Sequence, residues 1–216
     1  DRSAILPLGR TADAAYWFDN ASGTFVTSTW YRPDLPEWVS AFNARRLSES
    51  YAGRRWELPV EGGGIDMPQE PGLRLNEAVY TSPFGNEILL ALAKDALAYE
   101  RLGQRGTTDL FTVSFSSNDA VGHRYGPDSP HVRDMSVRTD AIIGELLDEV
   151  DRLVGLSRTL VIFTTDHGVA PVPEYGRELR LPGGRFAGAS VNDAVQQALT
   201  ARFGRAEWLA AGGSSL

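Results

Sequence analysis

DLFTVSFSSNDAVGHRYGPDSP, residues 109–130, changes character halfway along. Its first part, Asp109–Phe115, is rich in Leu, Phe, Val and Thr, as a buried strand requires. Its second part crowds an acid, a histidine and glycine together at Asp119, Gly122 and His123. Ser129-Pro130 then offers a capping hydroxyl followed by proline at the first helical position. From Val132 to Val154 the apolar residues (Val132, Met135, Ile142, Ile143, Leu146, Val150, Leu153) keep to one helical face, and Gly155 ends the run. TLVIFTTDHG, residues 159–168, repeats the theme with an apolar strand over 159–165 and then Asp166, His167 and Gly168. Strand, long helix and strand together predict a right-handed βαβ crossover with the two strands parallel.

In open α/β sheets, ligands bind beyond the carboxyl ends of the strands. Asp119 and His123 follow the first expected strand, and Asp166 and His167 follow the second, so both pairs are expected on one sheet edge. The chain has three histidines, and two of them fall in these two loops. Imidazole nitrogen and carboxylate oxygen are both zinc ligands, and a catalytic zinc commonly takes three from the protein. Gly122 is expected to let the turn fold so that Asp119 and His123 aim inward. Asp166 and His167 are adjacent, so they can share a site only where the strand has ended, as Gly168 suggests. Two such half-sites side by side suggest a two-metal centre for a phosphoryl group. The competing reading is that each Asp-His pair merely caps a polar turn.

Elsewhere the spacing predicts a helix over 83–103 and another within LPEWVSAFNARR, residues 35–46. TFVTSTWY, residues 24–31, alternates in the β manner, and EGGGIDMPQEP, residues 61–71, reads as a loop. His131 reads as a first-turn residue of the long helix rather than a ligand. Trp17, Trp30, Trp38 and Trp56 can line a cleft, although packing explains such tryptophans more simply.

The formal net charge is -7, which argues against a nucleic-acid scaffold. There are no cysteines, so a metal site here must use histidine and carboxylate. No apolar run approaches the roughly 20 residues that span a bilayer. The chain opens on Asp1 rather than Met, so an internal fragment is expected.

SFSSNDAVGHRYGPDSP, the D-x-x-x-x-x-D spacing of Asp134 and Asp140, IGELLDEVD and FTTDHG together resemble the alkaline phosphatase superfamily. They are most similar to its type I phosphodiesterase and nucleotide pyrophosphatase branch. DRSAILPLGRTADAAYWFD, TSTWY, LPEWV and SPFGNE resemble the bacterial alkaline phosphatases with a threonine nucleophile. The matching segments spread over residues 1–173. The resemblance implies an α/β fold in which helices flank a mainly parallel central sheet. Residues 1–216 would form part of one such domain, with a cap-like insertion at about 16–80.

It also implies two zinc ions, with Asp119 and His123 on one and Asp166 and His167 on the other. Arg2 matches an arginine that contacts the substrate phosphate, which favours a monoester. The nucleophilic threonine and a further aspartate would lie upstream and a further histidine downstream, so these residues alone should turn over little substrate. The implied activity is alkaline phosphomonoester hydrolysis of a small phosphate ester in the periplasm or outside the cell. A phosphodiesterase or nucleotide pyrophosphatase on the same scaffold is the alternative. A metal-free domain that binds a phosphorylated ligand is the alternative from another class.

Overall fold

The structure, a computed structural model, describes residues 2–60, 63–185 and 187–209. The chain falls into two compact units, Asp1–Ala170 and Pro171–Leu216. The first contains α1 (Arg2–Ile5), β1 (Trp17–Asp19), β2 (Thr24–Val26), α2 (Glu37–Ala44), β3 (Arg55–Glu57) and β4 (Gly64–Asp66). It continues with α3 (Leu73–Tyr80), α4 (Pro83–Tyr99), α5 (Ser117–Tyr125) and α6 (Pro130–Leu153). The second contains α7 (Pro173–Glu178) and α8 (Gly188–Phe203).

The long helices follow the sequence closely. Ser129 caps α6 by accepting a hydrogen bond from the Val132 amide at 3.2 Å, with Pro130 in the first turn. Pro83 likewise opens α4. α4 packs against α3 and α6, and α5 lies against both α4 and α6. Leu75, Val79, Ile88, Leu92, Val121 and Met135 from these four helices fill one core, with Phe42 of α2 and Phe25 and Trp56 of the small sheets closing it. Trp56 is buried, and its Nε1 donates to Asp134 Oδ2 at 2.7 Å. Trp38 Nε1 donates to Glu100 at 2.8 Å, so these two tryptophans serve packing, while Trp30 is exposed.

Three expectations change. The stretch around Asp119 is not a turn but the helix α5, because Ser117–Tyr125 closes its own backbone hydrogen bonds. Within the stretch expected to be a loop at 61–71, Gly64–Asp66 pairs antiparallel with Arg55–Glu57, Trp56 standing opposite Ile65. Glu61 and Gly62 of that stretch lie outside the described residues. The segments 109–115 and 159–165 are assigned to no strand and pair with nothing among the described residues. A strand exists only through a partner's ladder, and the sheets formed are the antiparallel pairs β1–β2 and β3–β4. The side chains of Leu160, Ile162 and Phe163 accordingly stand in solvent.

In the second unit, Arg185 grips Glu174 through two nitrogens at 2.8 and 3.0 Å, and these bonds hold the carboxyl down to about 2. Gln196 of α8 ties the following segment back, donating to the Ala206 carbonyl and accepting from the Trp208 amide. No helix among the described residues is long and apolar enough to cross a membrane.

Candidate metal centre

Helix α5 puts Asp119 and His123 four residues apart, so both side chains project from one face. His123 Nε2 lies 3.2 Å from Asp119 Oδ1. The second loop comes to meet them. A Cβ placed on Gly122 would lie 2.9 Å from Val169 Cγ2, so glycine admits the segment after His167 against the helix. Gly122 thus serves close approach rather than the turn expected of it, which a helix does not need.

His167 Nε2 stands 3.6 Å from Asp119 Oδ1 and 3.5 Å from Asp166 Oδ2, between the two carboxylates. Its Nδ1 is 2.9 Å from the Gly168 carbonyl. A proton on Nδ1 satisfies that carbonyl and leaves the Nε2 lone pair facing the acids, the tautomer a metal-ligating imidazole uses. The Gly168 bond, with help from Asp166 and Asp119, raises the affinity of His167 for a proton above the ordinary histidine value. Asp119, His123 and His167 together present three ligand atoms within 4.8 Å of one another.

Asp119 Oδ1 decides whether a cation fits. It is shut off from solvent and accepts no hydrogen bond among the described residues, although two imidazole nitrogens are near. A buried carboxylate oxygen without a donor is costly, and a cation would offset that cost. Two ligands each about 2.0–2.1 Å from a tetrahedral zinc stand roughly 3.3 Å apart, close to the 3.2 Å between His123 Nε2 and Asp119 Oδ1. The residues fit a divalent metal.

The sequence-derived candidates therefore divide. Asp119, His123 and His167 come together, and Asp166 joins them only through His167, its own side chain largely exposed. The side chain of Arg2 lies outside the described part of the structure. His131 takes no part, because its ring stacks on Tyr125 at a centroid distance of 3.8 Å and meets Trp56 edge-on.

Sequence reading missed a cleft that Arg124, the residue after His123, helps to line. Asn20, Arg74, Glu77, Tyr80 and Arg124 line an open space of about 600 Å³. Burial, reinforced by the nearby Asp119 charge, raises the pKa of the Tyr80 hydroxyl. Arg124 directly follows His123 on α5, and it and Arg74 supply positive charge to an otherwise acidic protein.

Known proteins resemble this chain along most of its length. The chain is 37% identical over 209 residues to the alkaline phosphatase PhoV of Synechococcus elongatus, covering 86% of this chain and 38% of that protein. It is 32% identical over 210 residues to the alkaline phosphatase PafA of Elizabethkingia meningoseptica, again covering 86% and 38%. The human ectonucleotide pyrophosphatase/phosphodiesterase family member 7 is 25% identical over 176 residues, covering 81% of this chain and 33% of that protein. The crystal structure of PafA superposes with a TM-score of 0.78 at 30% identity, over 94% of this chain and 43% of that one. The chain thus spans about two fifths of the length of these alkaline phosphatases and has their α/β fold. The pattern defining type I phosphodiesterases and nucleotide pyrophosphatases matches residues 3–182, so the chain belongs to the type I phosphodiesterase / nucleotide pyrophosphatase family.

Proposed function

We propose that these residues form the metal-binding wall of a phosphate-ester hydrolase, an alkaline phosphomonoesterase that uses two zinc ions. The observation behind this is the shielded, bond-free Asp119 Oδ1 facing the Nε2 atoms of His123 and His167. Asp119 and His123 would hold one ion, and Asp166 and His167 the other. His167 Nε2 stands about equally near both carboxylates, 3.6 Å from Asp119 Oδ1 and 3.5 Å from Asp166 Oδ2. Bound zinc would polarise a phosphoryl oxygen and acidify a bound water.

The chain's own residues set the stage for that chemistry. Asp119 supplies fixed negative charge, and the Gly168 carbonyl holds the His167 ring in its ligating orientation. The arginines of the cleft attract an anionic ester and orient it beside the trio. Arg2 would contact the non-transferred phosphate oxygens. A threonine nucleophile, forming the phospho-enzyme, would come from outside these residues, and the complete protein would work in the periplasm or outside the cell. One domain over 1–216 with a cap-like insertion at about 16–80 completes this reading.

The relatives named pyrophosphatase/phosphodiesterase favour a second reading, diester or pyrophosphate cleavage on the same scaffold. Rates on p-nitrophenyl phosphate and its bis ester separate the two. In the complete protein, elemental analysis should find zinc, and Asp119→Ala should lower kcat/KM by more than about 100-fold. A metal-free protein, or full activity in the variant, defeats the proposal.

A further inference from the structure

The metal-facing side of α5 is only half of that helix. The other half enters a polar contact among three helices. Asn86 of α4 and Thr139 of α6 are both buried, and both reach Asn118, the residue before Asp119. Asn86 Nδ2 donates to Asn118 Oδ1 at 2.7 Å and to Thr139 Oγ1 at 3.0 Å. Thr139 Oγ1 lies 3.0 Å from the same Asn118 oxygen and 2.8 Å from the Met135 carbonyl. One Asn86 amide proton thus goes to the Asn118 oxygen, on the turn that presents Asp119, and the other to Thr139 Oγ1, which itself lies against that oxygen.

The same turn is seated from below. A Cβ on Gly85 would lie 2.4 Å from Ser117 Oγ and 3.0 Å from the Val79 carbonyl, so only glycine lets Ser117 rest on the start of α4. At its other end α5 is held by Tyr125 stacked on His131. Asp119 and His123 sit between these anchors and have no deep packing of their own, their side chains being 46% and 69% exposed. Their direction therefore depends on how α5 is rotated.

Stability alone does not call for this arrangement. Val121, Met135 and Ile142 pack close by in sequence and are buried, and apolar residues in place of the network would fill such a core at no greater cost. Directional bonds, unlike apolar contacts, fix rotation about a helix axis. We infer that Asn86 and Thr139, with Gly85 beneath them, are positioning residues that set the rotation of α5 and so aim Asp119 and His123 at the metal. This rests on the metal-binding reading proposed above.

The test uses the complete protein and zinc alone. Zinc affinity is measured by chelator competition, and the apo protein's thermal midpoint is recorded beside it. Cobalt(II) substituted for zinc gives a visible spectrum that reports coordination geometry. Asn86→Ala and Thr139→Val should each weaken zinc binding by about 10–100-fold, as loss of support behind a ligand does. Both should alter the cobalt spectrum. Thr139→Ser keeps the hydroxyl and should bind zinc as the wild type does. Asn118→Ala, on a partly exposed residue, gives the same readout if the core variants fail to fold. Wild-type affinity and an unchanged cobalt spectrum in folded Asn118→Ala or Thr139→Val overturn the inference while leaving the metal site standing. A wild-type protein that binds no zinc overturns the metal reading itself, and this inference with it.

Discussion

The α4–α5–α6 platform and the two apolar stretches 109–115 and 159–165 all carry large apolar side chains, yet these end in opposite environments. Leu92, Leu97, Val121 and Met135 on the platform are buried, whereas Leu110, Leu160, Ile162 and Phe163 in the stretches are largely exposed. The difference lies in how each element satisfies its backbone. A helix closes its hydrogen bonds within a few residues and then needs only one neighbour against its apolar face. A strand has nothing until another strand lies beside it. The helices therefore pack without those stretches, and Asp119 and His123 take their position from α5.

The largest effect expected on the helical side is at Trp56. Its ring is buried, meets Tyr125 and His131 edge-on, and its Nε1 bonds Asp134. Trp56→Ala should cost about 3–5 kcal/mol of unfolding free energy in chemical denaturation. Trp56→Phe keeps most of the contacts and loses the bond to Asp134, which Arg138 still holds at 2.8 Å. It should cost only about 1 kcal/mol. Equal losses in the two variants would mean that the hydrogen bond, not the packing, anchors α6 there.

The same contrast explains what could be read in advance. α4 and α6 were legible because Ser129-Pro130, Pro83 and the apolar spacing are local signals that agree with the final packing. α5 was not, because Ser116, Ser117, Asn118 and Gly122 favour turns by composition and only its seat on α4 and α6 makes it a helix. β4 hides among glycines because its partner is Arg55–Glu57, which no local pattern reveals. Asp119, His123 and His167 were legible as a site, since histidine is rare here and both loops follow apolar runs. Asn86 and Thr139 were not. Their contacts with Asn118 and with each other span 21 to 53 residues, and neither residue type announces a metal.

A smaller effect is expected at His131, where pH becomes the probe. Burial against Tyr125 and Trp56, and then the nearby Arg124, lower its pKa below 6.5, with Asp134 opposing. The unfolded chain therefore binds a proton more readily than the folded one. The stabilising contribution is present above about pH 6.5 and is lost as pH falls through the lowered folded value. Melting the wild type and His131→Phe from pH 7.5 to 5.5 should show a steeper loss in the wild type. Parallel curves would mean that the stack does not prefer the neutral ring.

The smallest effect should come from the other side of the comparison. Ile162 is 75% exposed and its neighbours Leu160 and Phe163 are more so. Ile162→Lys in the 216-residue chain removes no packed contact and places a charge in water, so unfolding free energy should change by less than about 0.5 kcal/mol. Solubility should rise, because an exposed, uncharged β-branched run is a template for chain association. A loss as large as that of Trp56→Ala would mean that 159–165 is covered after all. Size-exclusion chromatography of the wild type would then say by what, since a second copy doubles the mass and a strand from the same chain does not. The stretch that ends at Asp166 and His167 would in that case owe its position to a sheet, and the candidate metal ligands would depend on both halves of the molecule.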